Sequence, residues 1–310
     1  MSENNLIVES SENFRIDKYI FSKLKNVSFI YIIKNIRNGK IKLNGKKILP
    51  NQKVNKDDVI SFDFSIMIKS NKPIIAPIKQ STIHLDIKYE DDNIVIVNKP
   101  AGLASHSDSK NKDSMLERVQ QYYYSLREKP QLCNRLDINT VGLMIFAKNQ
   151  VAHTEMNKLI SNKEVHKFYL CKVYGNFGIE SGLLEDYLTI LDEEYGVKVS
   201  ETETKGQSVK IQTLFRTLEV DNKGNSILEI NLLTGKKHQI RAHLAFYDHP
   251  IFGEQNYITK HKKMPHSHQE LYAYKLQFEI KDKESMLYYL NNKTVQLDAK
   301  PIIENLRKIH

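Results

Sequence analysis

Asn134-Arg135-Leu136-Asp137-Ile138-Asn139-Thr140-Val141-Gly142-Leu143-Met144-Ile145-Phe146-Ala147-Lys148 is the stretch from which the chain is read. Leu143 to Ala147 is an apolar run without proline, the pattern of a strand through a core. Just before it stand one Arg, one Asp and a Thr-x-Gly turn. An acid and a base at the mouth of a buried strand are held rigidly and can reach a cleft. Burial raises the cost of charging Asp137, and a nearby Arg lowers that cost again. Taken alone, the stretch reads more readily as a structural Arg–Asp ion pair at a strand end, since such pairs also perturb pKa values.

Working outward, 310 residues give room for one large domain and a small one. A charged content of 27% beside 40% apolar residues suits a globular, water-facing chain. No apolar run approaches the roughly 18–20 residues that span a bilayer. The Met-Ser-Glu-Asn-Asn start lacks the basic and apolar regions of a secretory signal. The expected location is therefore the cytoplasm, with no membrane partner. Cys133 and Cys171 form neither a metal-ligand spacing nor a disulfide framework.

The net charge of +9 is unevenly placed. Residues 13–56 hold twelve Lys or Arg against the one acid Asp17, so the excess lies in that block. A concentrated basic patch is the footprint of a polyanion binder; the plainer alternative is a solvated basic face. Residues 1–12 read as a disordered polar leader. Apolar residues at helical spacing predict a helix from Phe14 to Leu24. A second, Phe29 to Arg37, is capped by Ser28 and stopped by Gly39. Ile41 to Ile48 reads as a tight hairpin turning at Asn44-Gly45, and Ile60, Phe62, Phe64 and Ile66 alternate along a strand. The order of elements, the Arg-x-Asp-Lys start and the Gly-Lys-x-Lys-x-Asn-Gly-Lys-Lys stretch resemble the RNA-binding module named after bacterial ribosomal small-subunit protein four. The resemblance covers residues 13–68. It implies that Lys34, Arg37, Lys40, Lys42, Lys46 and Lys47 meet phosphates. Residues 69–84, with Pro73 and Pro77, read as a linker, and residues 85–310 as a second domain.

Four blocks of that second domain carry chemistry. Asp92-Asn93-x-apolar-x-x-Asn98-Lys99-Pro100-x-Gly102 is a strand and kinked loop. The opening stretch follows. Then comes Lys167-Phe168-Tyr169 on a predicted strand, Val165 to Tyr174. The last is Thr234-Gly235-Lys236-Lys237-His238-Gln239-Ile240-Arg241-Ala242-His243 with His249-Pro250-Ile251-Phe252-Gly253-Glu254-x-x-Tyr257. Thr234 is placed to cap a helix whose first-turn amides, with Lys236, favour a phosphate. Ile240, His243 and Leu244 share a face, with Arg241 pointing elsewhere. Metal binding by His238, His243 and His249 is disfavoured, because no two of them sit on one helical face as an i, i+4 pair. His261, His266 and His268 read as a solvated loop, residues 180–230 as several short strands, and Pro301 to Ile309 as a closing helix.

These blocks, in this order, are similar to the motifs of the RluA family of pseudouridine synthases. The departures are Asn134 where the family has His, Val141 where it has Ser, Lys236 for Arg, Glu254 for Asp, and Tyr272 for His. The resemblance implies an α+β fold, a mixed and largely antiparallel sheet flanked by helices, following a small α/β module. It implies that Asp137 is the catalytic residue, Arg241 its ion-pair partner, and Tyr169 the residue against the target base. Lys99 would shape the catalytic floor, and Lys99, Arg135, Lys167, Lys236, His238 and Gln239 would contact substrate. The implied function is isomerisation of uridines in structured RNA, with large-subunit ribosomal RNA the expected partner. No metal, nucleotide or other cofactor is implied, and a monomer is expected. The rivals are a non-catalytic RNA-binding assembly factor and a synthase acting on transfer RNA.

Overall fold

A computed structural model describes residues 3–9, 14–23, 29–63, 84–107, 113–123, 128–191, 196–204, 206–257 and 269–309. The chain divides into two compact units, Met1–Gln80 and Ser81–His310.

The first unit contains β1 (Glu3–Ile7), β2 (Phe14–Arg15), α1 (Ile16–Lys23), α2 (Phe29–Arg37), β3 (Ile41–Leu43), β4 (Lys46–Lys47), β5 (Lys53–Val54) and β6 (Val59–Asp63). Ile16, Ile20, Ile32, Ile36, Ile41 and Ile60 form its core. The β3–β4 hairpin turns at Asn44 and Gly45, both at positive φ (50° and 75°), which gives the two-residue turn its favoured twist. The leader expected over 1–12 is corrected. Its residues 3–7 form β1, which pairs antiparallel with β6, so a partner strand outweighs the polar composition of Glu3-Asn4-Asn5. Phe64 and Ile66 lie outside the described residues, as does the proposed linker up to residue 83.

The second unit is built on an 11-stranded sheet. Its strands are β7 (Ile87–Glu90), β8 (Ile94–Lys99), β9 (Gln131–Leu132), β10 (Val141–Ala147), β11 (Val165–Val173), β12 (Ser181–Ile190), β13 (Val197–Ser200), β14 (Ser208–Val220), β15 (Ser226–Leu232), β16 (Leu271–Phe278) and β17 (Thr294–Gln296). The helices are α3 (Met115–Tyr123), α4 (Gln150–Ser161), α5 (Gln239–Phe246) and α6 (Ala299–Lys308). The order β13-β12-β14-β15-β11-β16-β10-β8-β7 is antiparallel throughout except for β10 beside β16. This is the mixed, largely antiparallel α+β fold expected from the sequence. The expected short strands of 180–230 are instead dominated by β12 and β14, of 10 and 13 residues. They pair over nine consecutive positions, and each long strand supplies the other's hydrogen-bond partners.

Alternation along the central strands fills both faces. On β10, Met144 and Phe146 join one core, with α3 and with Ile240 and Leu244 of α5. Leu143, Ile145 and Ala147 join the other, with α4 and with Leu306 of α6. The row Tyr169, Ala273, Gly142, Lys99 crosses four neighbouring strands at one level. There Gly142 has φ +131, and a Cβ on it would lie 2.2 Å from the carbonyl oxygen of Ala273. Glycine is thus the condition for β10 and β16 to meet. A β-bulge opposite Tyr169 marks the same level.

Away from this level, β11 buries Lys172 completely. Its ammonium lies 2.8 Å from Asp221 and donates to the carbonyl of Ile309 at 2.6 Å. Burial pushes the Asp221 carboxyl up. Lys172 and the amides of the turn at Lys223 and Asn225 outweigh it and hold the carboxyl well below the usual range.

Candidate active site

Asp137 sits in the loop that enters β10, where the amide of Thr140 donates to its carbonyl at 3.1 Å. Ser105 straps the residue before it, accepting from the Leu136 amide at 2.9 Å and donating to the Leu136 carbonyl. The Asp137 side chain keeps 25% of its surface, enough for a substrate to reach it.

Arg241 meets it from α5. One guanidinium nitrogen, Nη1, donates to Oδ2 of Asp137 at 3.0 Å. Nε and Nη2 donate to the two oxygens of Glu254, both at 2.8 Å. The fork is thereby fixed in its plane and aimed at Asp137. Glu254 also accepts from the Gln269 amide at 2.8 Å and from the backbone of Gln255 and Asn256 at 3.0 and 2.8 Å. Burial pushes the Glu254 carboxyl up, but Arg241 and these amides outweigh it, and it stays below the usual range. Burial works against the Arg241 charge; its two carboxylate partners more than offset that. The helix expected to show one apolar face is buried on every side, Gln239 to Ala245. Arg241 therefore tolerates an interior position because it is paired at both ends.

Tyr169 lies on β11 with 6% of its surface exposed. Burial first, and the charge of Asp137 second, push its phenol far above the ordinary value. The tyrosine is therefore a neutral hydrogen-bonding ring facing a carboxylate. Lys167, two residues earlier and half-buried, has its ammonium 3.0 Å from where a Cβ on Gly235 would be. Burial lowers its pKa.

His238 joins the same cluster from the residue before α5. Its Nε2 is 3.8 Å from Oδ1 of Asp137. Arg135 and Lys236 are exposed.

Two expected substrate contacts are corrected. Lys99 is fully buried, and its ammonium donates to the carbonyls of Pro100, Leu103 and Ile138 at 2.8, 2.8 and 2.9 Å. Burial draws its pKa down to about 8, with Asp137 opposing. It fastens the loop that carries Asp137 and faces no solvent. Gln239 is 2% exposed, and its amide is spent on Gln212, Thr213, Thr234 and the Lys236 backbone. The Thr234 cap is corrected too. The helix starts at Gln239, its N-cap is His238 at φ 52 with no side-chain cap, and Thr234 serves Gln239 instead. A loop that turns left-handed at His238 delays the helix past Thr234.

The six basic residues proposed for phosphates, Lys34, Arg37, Lys40, Lys42, Lys46 and Lys47, are all exposed in the first unit. No ion pair neutralises them among the described residues. The loop histidines His261, His266 and His268 lie outside the described residues. Among the described residues no three His, Cys, Asp or Glu are grouped to hold a metal ion. No described helix is long and apolar enough to cross a membrane.

The sequence reading gave Glu254 and Tyr257 no role. Glu254 completes the Arg241 clamp, and Tyr257 hydrogen-bonds to His238 at 2.7 Å. Their signal was the run His249 to Tyr257, whose spacing was visible without its purpose.

The sequence profile described as RNA pseudouridylate synthase matches residues 93–246. An uncharacterised RNA pseudouridine synthase of Mycoplasma genitalium is 30% identical over 88% of this chain and 88% of its own length. The ribosomal large subunit pseudouridine synthase C of Haemophilus influenzae is 28% identical over 97% of this chain and 94% of its own. Among solved structures, human RNA pseudouridylate synthase domain containing 4 superposes with a TM-score of 0.56 at 20% identity. It covers 72% of this chain and 93% of that one.

Proposed function

The chain belongs to the RNA pseudouridylate synthase family, and we propose that it converts uridine to pseudouridine in large-subunit ribosomal RNA with Asp137 as nucleophile. The observation that carries the assignment of roles is the Asp137 carboxylate. Arg241 fixes one of its oxygens, while the other takes no hydrogen bond among the described residues, and the side chain keeps 25% of its surface. A buried, doubly anchored guanidinium holds that carboxylate in one orientation, which is what a nucleophile needs.

Uridine becomes pseudouridine when its base is detached at nitrogen, turned and rejoined through carbon. Reactant and product have the same formula, so no oxidant, reductant or second substrate enters the balance. The target nucleotide leaves its stack to reach Asp137, at a cost of a few kcal/mol that favours loops and bulges. Tyr169 offers a ring for the loose base and a hydroxyl for proton exchange. Part of what keeps its phenol protonated is the charge of Asp137. That charge is consumed when the carboxylate bonds to the nucleotide, so the phenol gives up its proton more readily in the intermediate than in the free enzyme.

Support for ribosomal RNA comes from the Haemophilus relative, whose likeness covers 97% of this chain. Within our reading the exposed cations of the first unit dock RNA phosphates, and the enzyme works as a cytoplasmic monomer. Mapping chemically labelled pseudouridines in total RNA, with and without the protein, identifies the target. Asp137→Asn is expected to lower turnover by at least ~10³-fold while RNA affinity stays within a few fold. Turnover by that variant near the wild-type rate would sink the assignment of Asp137.

A further inference from the structure

His238 approaches the free oxygen of Asp137 with a ring whose other nitrogen is already engaged. Its Nδ1 lies 2.7 Å from the hydroxyl of Tyr257. That hydroxyl accepts the backbone N–H of Val197 at 3.1 Å. A phenol oxygen that already accepts one hydrogen bond has its own proton left to donate. No other partner of this hydroxyl is found among the described residues, so the proton goes to Nδ1. Nδ1 is then an acceptor, and the ring's own proton must be on Nε2. Nε2 is the atom 3.8 Å from Oδ1 of Asp137, the oxygen Arg241 leaves free.

The surroundings hold this arrangement in place. His238 sits at φ 52, a left-handed conformation uncommon for a residue with a side chain. Gly196, beside Val197, has φ +78, and a Cβ there would come 2.6 Å from the Tyr257 hydroxyl. The Arg241 guanidinium lies 5.4 Å from the centroid of the Tyr257 ring. Backbone strain at one residue and a glycine vacancy beside another both serve to seat one hydroxyl, which is the pattern of a functional constraint.

We propose that Tyr257 is a positioning residue that fixes His238 in its neutral form with the proton on Nε2, directed at Oδ1 of Asp137. The inference rests on reading Asp137 as the nucleophile. At 3.8 Å a neutral N–H faces Oδ1 without pairing its charge. An imidazolium in the same place would form an ion pair with Oδ1 and take up the oxygen that must attack. The charged groups facing His238 are Asp137 and Glu254, which favour its protonation, and Arg241 and Lys237, which oppose it. Burial is the largest influence and also opposes protonation. Protonating Nδ1 would further require the Tyr257 hydroxyl to give up its acceptor.

Two measurements on the full-length protein test this. In the first, 15N-histidine NMR of the wild type is expected to show His238 neutral near pH 7, protonated on Nε2. Tyr257→Phe, which removes one hydroxyl and nothing else, is expected to give a mixture of tautomers. In the second, the acid limb of kcat/KM on ribosomal RNA is expected to move to higher pH in Tyr257→Phe. The expected size is about half to one pH unit, that of one neutral hydrogen bond. The shift should vanish when Tyr257→Phe is made in a His238→Gln background, since glutamine does not titrate. A wild-type ring protonated on Nδ1 overturns the proposal, and so does an unchanged tautomer and pH profile in Tyr257→Phe. The expected tautomers in a protein that modifies no uridine would support the positioning role and instead remove the reading of the site as a synthase.

Discussion

Asp137, Arg241 and Glu254 share one chain of hydrogen bonds, each at 2.8–3.0 Å, and every anchor of that chain is itself tied down. The cations Lys34, Arg37, Lys40, Lys42, Lys46 and Lys47 are the opposite case. They are exposed on α2, on the turn that follows it and on the β3–β4 hairpin, with no ion pair among the described residues. The two regions place charge for different ends. Chemistry on one atom needs a group held in one geometry, and the holding partners must be buried with it. Docking onto a polyanion needs cations that are free to exchange counterions for phosphates, and an internal partner would spoil them. Paired charge should therefore be part of the fold in the second unit, and free charge should be dispensable for the fold in the first.

The harshest way to break that comparison is at a paired site outside the chemistry. Asp221→Asn leaves the fully buried Lys172 without its counter-ion, and such losses cost about 3–5 kcal/mol. Because the folded Asp221 carboxyl titrates below its unfolded value, its stabilisation is present above about pH 4 and lost as pH falls further. Urea denaturation should thus show the variant's deficit in full at pH 7 and shrinking below about pH 4. A deficit that does not change with pH would mean the pair is not what holds β11 to the turn between β14 and β15.

A smaller change sharpens the comparison at the site itself. Tyr169→Phe keeps the ring and loses the hydroxyl. The fold and RNA binding should persist, while turnover falls about 10²-fold and the reaction stalls after base detachment. Wild-type turnover by this variant would make Tyr169 a platform only. The gentlest effect on the fold is expected from Lys42, Lys46 and Lys47 changed together to Ala. Stability should move by less than about 0.5 kcal/mol. The slope of log affinity for RNA against log salt should flatten by about 2–3 units. An unchanged slope would mean that these cations face solvent only.

How much of this could be read from the sequence depends on what each residue's neighbours are. The β10 strand was legible because five apolar residues in a row have few other uses. The Asn44-Gly45 hairpin was legible because its turn needs positive φ twice. The pairing of Arg241 with Asp137 crosses over a hundred positions and was reached through resemblance, since no local pattern contains it. Lys99 and Gln239 were misread for one reason. A polar side chain in a motif suggests a substrate contact, yet here the partners are backbone carbonyls and neighbouring hydroxyls supplied by tertiary packing. The β1 strand and the length of β12 and β14 were missed because pairing with a distant strand overrides weak local preference.

The level at which Gly142 meets Ala273 also fixes when the site can exist. The two residues are about 130 positions apart, and the parallel pair they join cannot form until both are made. Closing so long a loop costs chain entropy before any contact returns it. During synthesis Asp137 emerges well before Arg241, Glu254 and β16. For that interval it is an ordinary hydrated carboxylate on an incomplete sheet. On the proposed roles, the site is complete only when the middle of the sheet has zipped shut.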